Sequence, residues 1–158
     1  MIPSPNTPQS QRGEFLYWVC SVFVIVIGVG CVLGIGPAWA GDRPAPEFDA
    51  YTLEGEEVSN YSLEGEPALL MFWAPWCGVC KDELPKLADF YEWENPAGFQ
   101  VVSIGGSDTE SNVQEYVEDH ADVFVFPTIY DEDKTLMRGF RIKAFPTYVL
   151  LDENGHIK

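Results

Sequence analysis

The sequence has few basic residues. It contains 9 Lys and Arg against 25 Asp and Glu, which gives a formal net charge of −16 at pH 7. This balance excludes a typical nucleic-acid binder, because binding to phosphates requires a basic face. It also excludes a strongly basic membrane-surface patch. Two interpretations of the acidity remain: a solvated and mutually repulsive surface, or a surface that steers basic partners such as cationic cytochromes toward the protein.

Cysteine is also scarce. Two of the 4 cysteines, Cys20 and Cys31, fall inside a long apolar run and are interpreted as small apolar residues of that run. The other two form a single CxxC motif, Cys77 and Cys80. A domain whose thiols make up one CxxC is not a scaffold held together by structural disulfides, so the pair points to redox chemistry or metal binding instead.

One uncharged apolar run, residues 15–36, is long enough to cross a membrane. As a helix it would measure roughly 33 Å, which matches the thickness of a bilayer core. A small-x-small site at 38–40 leaves a signal peptide as the alternative, although the apolar core of a signal peptide is shorter. We therefore expect a polar tail over 1–14, an uncleaved transmembrane anchor over 15–36 and a Pro- and Gly-rich linker over 37–45.

Residues 46–158 alternate short apolar runs with helical patterns, which predicts an α/β domain with parallel neighbouring strands. The run Ala68–Trp73 predicts a strand buried on both faces. An apolar stripe predicts a helix after Cys77, kinked at Pro85. The other predicted elements are a hairpin of 48–53 with 58–61, strands over 100–104, 123–129 and 147–151, a helix with a capping box at Ser107/Glu110 or Ser111/Gln114, a short helix over 132–140 and a turn at 152–155.

The position of the CxxC, after a buried strand and at the start of a helix, carries the predicted chemistry. Free backbone N–H groups and the helix dipole favour an anion at that point, so the first thiol should ionise near neutral pH. We assign Cys77 as the nucleophile and Cys80, one turn along, as the thiol that resolves a mixed disulfide. Trp76 and Trp73 supply an apolar rim that limits water access.

Three alternatives were weighed against this interpretation. A structural zinc site needs four ligands, and His120 and His156 have no paired spacing with the cysteines, so no metal site is predicted. A copper-delivery module on the same fold would resemble CxxxC with a distal histidine. A peroxiredoxin would need Pro and Thr or Ser where this chain has Leu70 and Ala74.

The motifs resemble those of the thioredoxin superfamily, and within it the membrane-anchored TlpA/ResA/CcmG-type branch. The resemblance rests on Ala45–Phe48, on the segment FWAPWCGVCKDELP at 72–85 and on Phe145-Pro146-Thr147, in that order. It implies a thioredoxin-like fold with a central mixed sheet flanked by helices and an N-terminal hairpin. It also implies an insertion of one helix and one strand, at 107–130.

The resemblance further implies a function and a setting. Trp76, Phe145 and Pro146 would bind substrate, with Pro146 as a cis-proline that exposes the backbone of Phe145 to an extended substrate segment. The activity would be thiol–disulfide exchange with protein substrates, without a cofactor. The branch favours reduction, including that of apocytochrome c cysteines, with electrons from a membrane thiol reductase. The catalytic domain would lie on the periplasmic side of the inner membrane.

The sequence departs from the resembling family in two places. Where classical thioredoxins carry a buried Asp, this chain has Met71. The resemblance makes Glu83 the candidate acceptor for the proton of the buried cysteine, because its counterpart in the resembling branch lies near the active site. The alternative is a solvated carboxylate on the helix. The family continues past the turn at 152–155 with a full edge strand and an amphipathic helix. This sequence stops at Lys158, so we expect that either the sequence is incomplete at its C-terminus or the C-terminal helix is missing and one face of the sheet is partly uncovered.

Overall fold

The computed structural model of the chain describes residues 43–158. The predicted tail, the predicted membrane anchor and most of the predicted linker lie outside these residues. Among the helices of residues 43–158, none is both long and apolar enough to cross a bilayer.

A mixed sheet of six strands forms the centre of the described domain, in the order β1-β8-β7-β4-β5-β6. Strand β4 pairs parallel with β5 and antiparallel with β7, and β5 pairs parallel with β6. Strands β2 and β3 form a separate antiparallel pair. The bounds are β1 Arg43–Pro44, β2 Asp49–Tyr51, β3 Glu57–Ser59, β4 Ala68–Trp73, β5 Gln100–Gly105, β6 Thr128–Tyr130, β7 Thr147–Leu151 and β8 His156–Ile157.

Three α-helices connect the strands of the described domain. They are α1 Gly78–Glu94, α2 Glu110–Asp119 and α3 Thr135–Gly139, and a 3-10 turn at Asn95–Ala97 follows α1. Helix α1 is continuous through Pro85. The predicted insertion at 107–130 contains α2 and β6, one helix and one strand.

The core lies on both faces of the central strand β4. Leu70 and Phe72 point into one cluster, with apolar residues of α3, while Met71 and Trp73 point into the other, with residues of α1 and α2. All four side chains are fully buried. The expectation that Trp73 forms part of the rim around the cysteines is therefore wrong, because its ring lies in the core. This is the alternation of a strand with helices on both faces, and it explains why the strand is apolar at every position.

The predicted strand over 123–129 is wrong over most of its length, because strand β6 begins only at Thr128. The amides of Val123 and Phe124 instead donate to the carbonyl of His120, which curls the chain into a turn after α2. That turn places the ring of Phe124 5.1 Å from the ring of Trp73. Phe124, which the sequence pattern assigned to a strand, therefore packs against Trp73 from a turn instead.

Two predicted helix starts are also wrong. The N-cap of α2 is Thr109, whose hydroxyl accepts from the amide of Asn112 at 3.3 Å, and neither Ser107 nor Ser111 takes that position. Ser107 has a left-handed backbone with φ of 56°, whereas an N-cap is extended.

Helix α3 is shorter than the predicted 132–140. The carboxylate of Asp131 accepts from the amides of Leu136 and Met137 at 3.1 and 2.9 Å, and so caps the helix three residues later than expected. The residues between form a turn with Lys134 in the left-handed region.

Candidate active site

The junction between β4 and α1 holds Cys77 at the first turn of the helix. Its amide donates to the carbonyl of Ala74 at 3.0 Å, and its backbone is extended, with φ −82° and ψ 101°. Cys77 is therefore the N-cap, and its sulfur accepts from the amide of Cys80 at 3.2 Å. A disulfide joins the two cysteines, whose Cα atoms are 5.3 Å apart. The sulfur of Cys77 thus occupies the position where a helix favours an anion.

The two cysteines differ in exposure. Cys77 is 6% exposed and Cys80 is 0% exposed, while the flanking Trp76 and Val79 are 62% and 61% exposed. Of the two sulfurs, that of Cys77 is therefore the more accessible, because Cys80 is fully buried in the core. This order agrees with a nucleophile followed by a resolving thiol.

The rim beside Cys77 is built from two distant segments. The ring of Trp76 meets the ring of Phe145 edge-on, with centroids 5.8 Å apart. The indole N–H of Trp76 donates to the carbonyl of Ser107 at 3.0 Å, which fixes the orientation of the ring. The Phe145–Pro146 peptide bond is cis. Within residues 43–158 the backbone N–H and C=O of Phe145 make no hydrogen bond.

Cys80 lies in an apolar cluster with Met71 and Leu84. Among the described residues, the one buried carboxylate is that of Asp131, and it is bonded to the amides at the start of α3. No acid therefore lies buried against Cys80 in this part of the chain. The proton of this thiol must pass to a group nearer the surface.

Glu83 lies one turn after the CxxC, in a small polar network. Its carboxylate accepts from the ammonium of Lys86 at 2.7 Å and from the hydroxyl of Tyr148 at 3.5 Å. The hydrogen bond from Lys86 lowers the pKa of Glu83, so the side chain is ionised at neutral pH. Burial, and then the Glu83 charge, raise the pKa of Tyr148 to about 12. Among the described contacts, none joins Glu83 to either cysteine.

Two grooves meet at Trp76, and sequence reasoning missed both. One, of about 440 Å³, runs between Trp76 and Phe145 toward α3 and has a basic lining. The other, of about 340 Å³, lies between Trp76 and α2 and has an acidic lining. The signal for the basic groove is the density of Lys and Arg in residues 134–143, although the chain as a whole is acidic.

The histidines do not join the cysteines. His120 stacks on Tyr116 with ring centroids 4.1 Å apart, and His156 lies in β8 beside Asp152. Within residues 43–158 no group of three or more His, Cys, Asp and Glu side chains could hold a metal ion.

Comparison with known proteins places this geometry among redox proteins. The AhpC/TSA family matches the chain over residues 42–158. The sporulation thiol-disulfide oxidoreductase A of Bacillus subtilis is 36% identical over 109 residues, which are 68% of this chain and 65% of that protein. The thiol-disulfide oxidoreductase ResA of Halalkalibacterium halodurans is 29% identical over 120 residues, which are 76% of this chain and 66% of that protein.

The fold agrees with a solved structure as well. That of MTB dsbF, in its mixed oxidised and reduced forms, has a TM-score of 0.67 and 32% identity, and the match covers 73% of this chain and 85% of that one. The architecture is thus thioredoxin-like, as the motifs predict. The chain spans 65% and 66% of the length of the two curated relatives, slightly under two thirds.

Proposed function

This chain belongs to the AhpC/TSA family, and on that basis we propose that it is a thiol–disulfide oxidoreductase that acts on protein substrates through Cys77 and Cys80. The observation that carries the proposal is the hydrogen bond from the Cys80 amide to the Cys77 sulfur at the N-terminus of α1. A thiolate at that position is stabilised by the helix dipole and by the free amides of the first turn. The names of the relatives point to the same chemistry.

In the proposed reaction the reduced protein donates two electrons. The Cys77 thiolate attacks one sulfur of a substrate disulfide, so that a mixed disulfide forms and the other substrate sulfur leaves as a thiolate. Cys80 then loses its proton and attacks the Cys77 sulfur. The Cys77–Cys80 disulfide forms, the mixed disulfide breaks and the second substrate thiolate leaves. The result is the oxidised state seen in the structure.

Substrate binding is proposed at Trp76, Phe145 and Pro146. The unpaired backbone of Phe145 can exchange hydrogen bonds with an extended substrate segment, in the way that a strand is added to a sheet edge. The exposed ring of Trp76 covers the apolar atoms of that segment. Both contacts lie on the side from which Cys77 is reached.

Glu83 is the proposed acceptor for the proton of Cys80. Met71 occupies the buried position and cannot accept a proton, so the proton must travel toward the surface. Glu83 is ionised at neutral pH and lies one turn from the cysteines. Its carboxylate is held by Lys86 and Tyr148, so the transfer to it passes through water.

The proposed setting is the outer side of the cytoplasmic membrane, with residues 15–36 as a single-pass anchor. The support is the apolar run of the sequence and the resemblance to a membrane-anchored branch. In this setting the protein acts as a reductant, receives electrons from a membrane thiol reductase and reduces apocytochrome c cysteines. Protease protection of the chain in intact cells, compared with permeabilised cells, tests the topology.

The direct test of the function is a trapping experiment with the full chain. The variant Cys80→Ser cannot resolve a mixed disulfide, so it should retain its substrates through Cys77, and mass spectrometry of the adducts names them. Cys77→Ser is the matched control, because it removes the more accessible thiol and leaves the fully buried one. Equal adduct levels in the two variants, or none in either, would contradict the proposal.

A further inference from the structure

The basic side chains of this acidic protein are concentrated beside the proposed active site. Of the 9 Lys and Arg in the chain, four fall within residues 134–143. All four line the groove of about 440 Å³ that begins at Trp76 and Phe145: Lys134, Arg138, Arg141 and Lys143.

The described carboxylates do not neutralise this group of positive charges. Within residues 43–158 none of the four forms an ion pair with a carboxylate. In the same part of the chain, the one side-chain hydrogen bond of the Arg138 guanidinium is to the hydroxyl of Thr135, at 3.4 Å. The carboxylate of Asp131 is bonded to amides at the start of α3, and Glu132 and Asp133 are exposed without lining the groove. The charges are therefore free to meet an anionic ligand.

The floor of the groove is apolar, while its rim is basic. Met137, Ile142 and Phe145 contribute apolar surface, and the ring of Trp76 closes one end. A floor of this kind suits a polypeptide that buries apolar atoms and presents carboxylates to the rim. A small inorganic anion would leave the apolar surface uncovered.

The backbone around the groove is held in a disfavoured conformation. Ser107, Lys134 and Arg141 have φ values of 56°, 55° and 60°, in the left-handed region that residues with a Cβ atom rarely adopt. Among the described residues, no other non-glycine residue has a positive φ, and all three of these residues line the groove. Such conformations gather at ligand sites, where a particular side chain is needed in spite of the backbone cost.

The charge of the lining changes sign at Trp76. On the other side of this ring, the groove of about 340 Å³ is lined by Asp108, Glu115 and Asp119. A substrate segment that crosses the active site therefore meets basic groups on one side of Cys77 and acidic groups on the other.

Building on the proposed function, we propose that the basic groove selects protein substrates that carry carboxylates on one side of the reactive cysteine. The carboxylates lie in the groove while the cysteine sulfur reaches Cys77. The acidic groove disfavours carboxylates on the other side. The overall negative charge of the protein acts at longer range, and the two grooves act at contact.

The test uses symmetric disulfide-linked peptides and the full chain carrying Cys80→Ser. Three peptides differ only beside their cysteine: glutamates before it, glutamates after it, or glutamines in both places. Cys77 attacks one peptide sulfur, the peptide disulfide breaks, and the second peptide leaves as a thiol after taking a proton from water. Mass spectrometry follows the rate of adduct formation.

One of the two acidic peptides should react faster than the glutamine peptide, by up to about fivefold for each ion pair formed. The advantage should disappear near 1 M salt, where screening acts within ~3 Å. Adding Lys143→Gln to the Cys80→Ser chain should reduce this rate advantage. Adding Arg43→Gln should not, because that change removes the same charge from strand β1, outside the groove.

The outcomes separate the two proposals. If all three peptides react through Cys77 at the same rate, or if both acidic peptides are accelerated equally, the selection by side is wrong while the function stands. If no peptide reacts through Cys77, the proposed function itself is wrong.

Discussion

The backbone amide of Cys80 donates a hydrogen bond to the sulfur of Cys77 at 3.2 Å, across the first turn of helix α1. The two residues also differ in exposure. Cys77 is 6% exposed and lies next to an exposed tryptophan, whereas Cys80 is fully buried against Met71 and Leu84. The position of Cys77 as helix N-cap is the basis on which we propose that it reacts first.

The role of Glu83 can be tested with Glu83→Gln. We expect the resolving step, in which Cys80 attacks the mixed disulfide on Cys77, to slow at least about tenfold near neutral pH, because the thiol loses its proton acceptor. Quenched-flow mass spectrometry of a preformed mixed disulfide measures this rate. Glu92→Gln, a change on the same helix, is the control. An identical rate and an identical pH profile in both variants would exclude the role.

The phenol of Tyr148 should respond to the same substitution. Its pKa is raised to about 12, first by burial and then by the charge of Glu83. In Glu83→Gln we expect the pKa to fall but to stay above the ordinary value of 10, because burial remains. Tyrosinate absorbance during an alkaline titration, with Tyr148→Phe subtracted, gives the value. If the pKa of Tyr148 is the same in Glu83→Gln as in the parent protein, the charge of Glu83 does not affect the phenol.

Asp152 should make the domain sensitive to acid. Its pKa is lowered from 3.8 to about 2, first by the hydrogen bond from Lys158 and then by backbone bonds from His156 and Asn154. Because the folded pKa lies below the unfolded one, its contribution is complete above about pH 3.8 and is lost as the pH falls through about 2.

The change Asp152→Asn should therefore lower the free energy of unfolding at neutral pH and flatten its slope between pH 3.8 and 2. Urea unfolding at a series of pH values measures both effects. Asp89→Asn is the control, since Asp89 makes no hydrogen bond among the side-chain bonds of the described residues. A slope as steep in Asp152→Asn as in the parent protein would contradict the assignment.

Local patterns in the sequence predict much of this fold. The strands β4 and β7 match their predicted bounds, and β5 is one residue longer than expected. Helix α1 begins directly after Cys77, as expected. These elements can be predicted because the pattern of each one lies in a continuous stretch of chain, either as an apolar run or as a strand followed by a helix.

The errors arise where distant residues decide the structure. The segment 123–127 has the composition of a strand, but Phe124 packs on Trp73 and Tyr116, and the chain turns to allow this contact. The Glu83–Tyr148 hydrogen bond joins residues 65 positions apart. The basic groove also depends on distant residues. The sequence shows that residues 134–143 are basic, but it does not show that they line a groove at Trp76.

The ionisation of Cys77 tests the account most directly. In the reduced full chain carrying Cys80→Ser, the rate of alkylation by iodoacetamide as a function of pH gives the pKa of the remaining active-site thiol. The double variant Cys77→Ser/Cys80→Ser supplies the background from the other two cysteines. We expect a pKa clearly below that of a free cysteine, because the helix N-terminus stabilises the thiolate. A pKa at or above about 8.5, the value of a free cysteine, would contradict the claim that the capping position makes Cys77 the nucleophile.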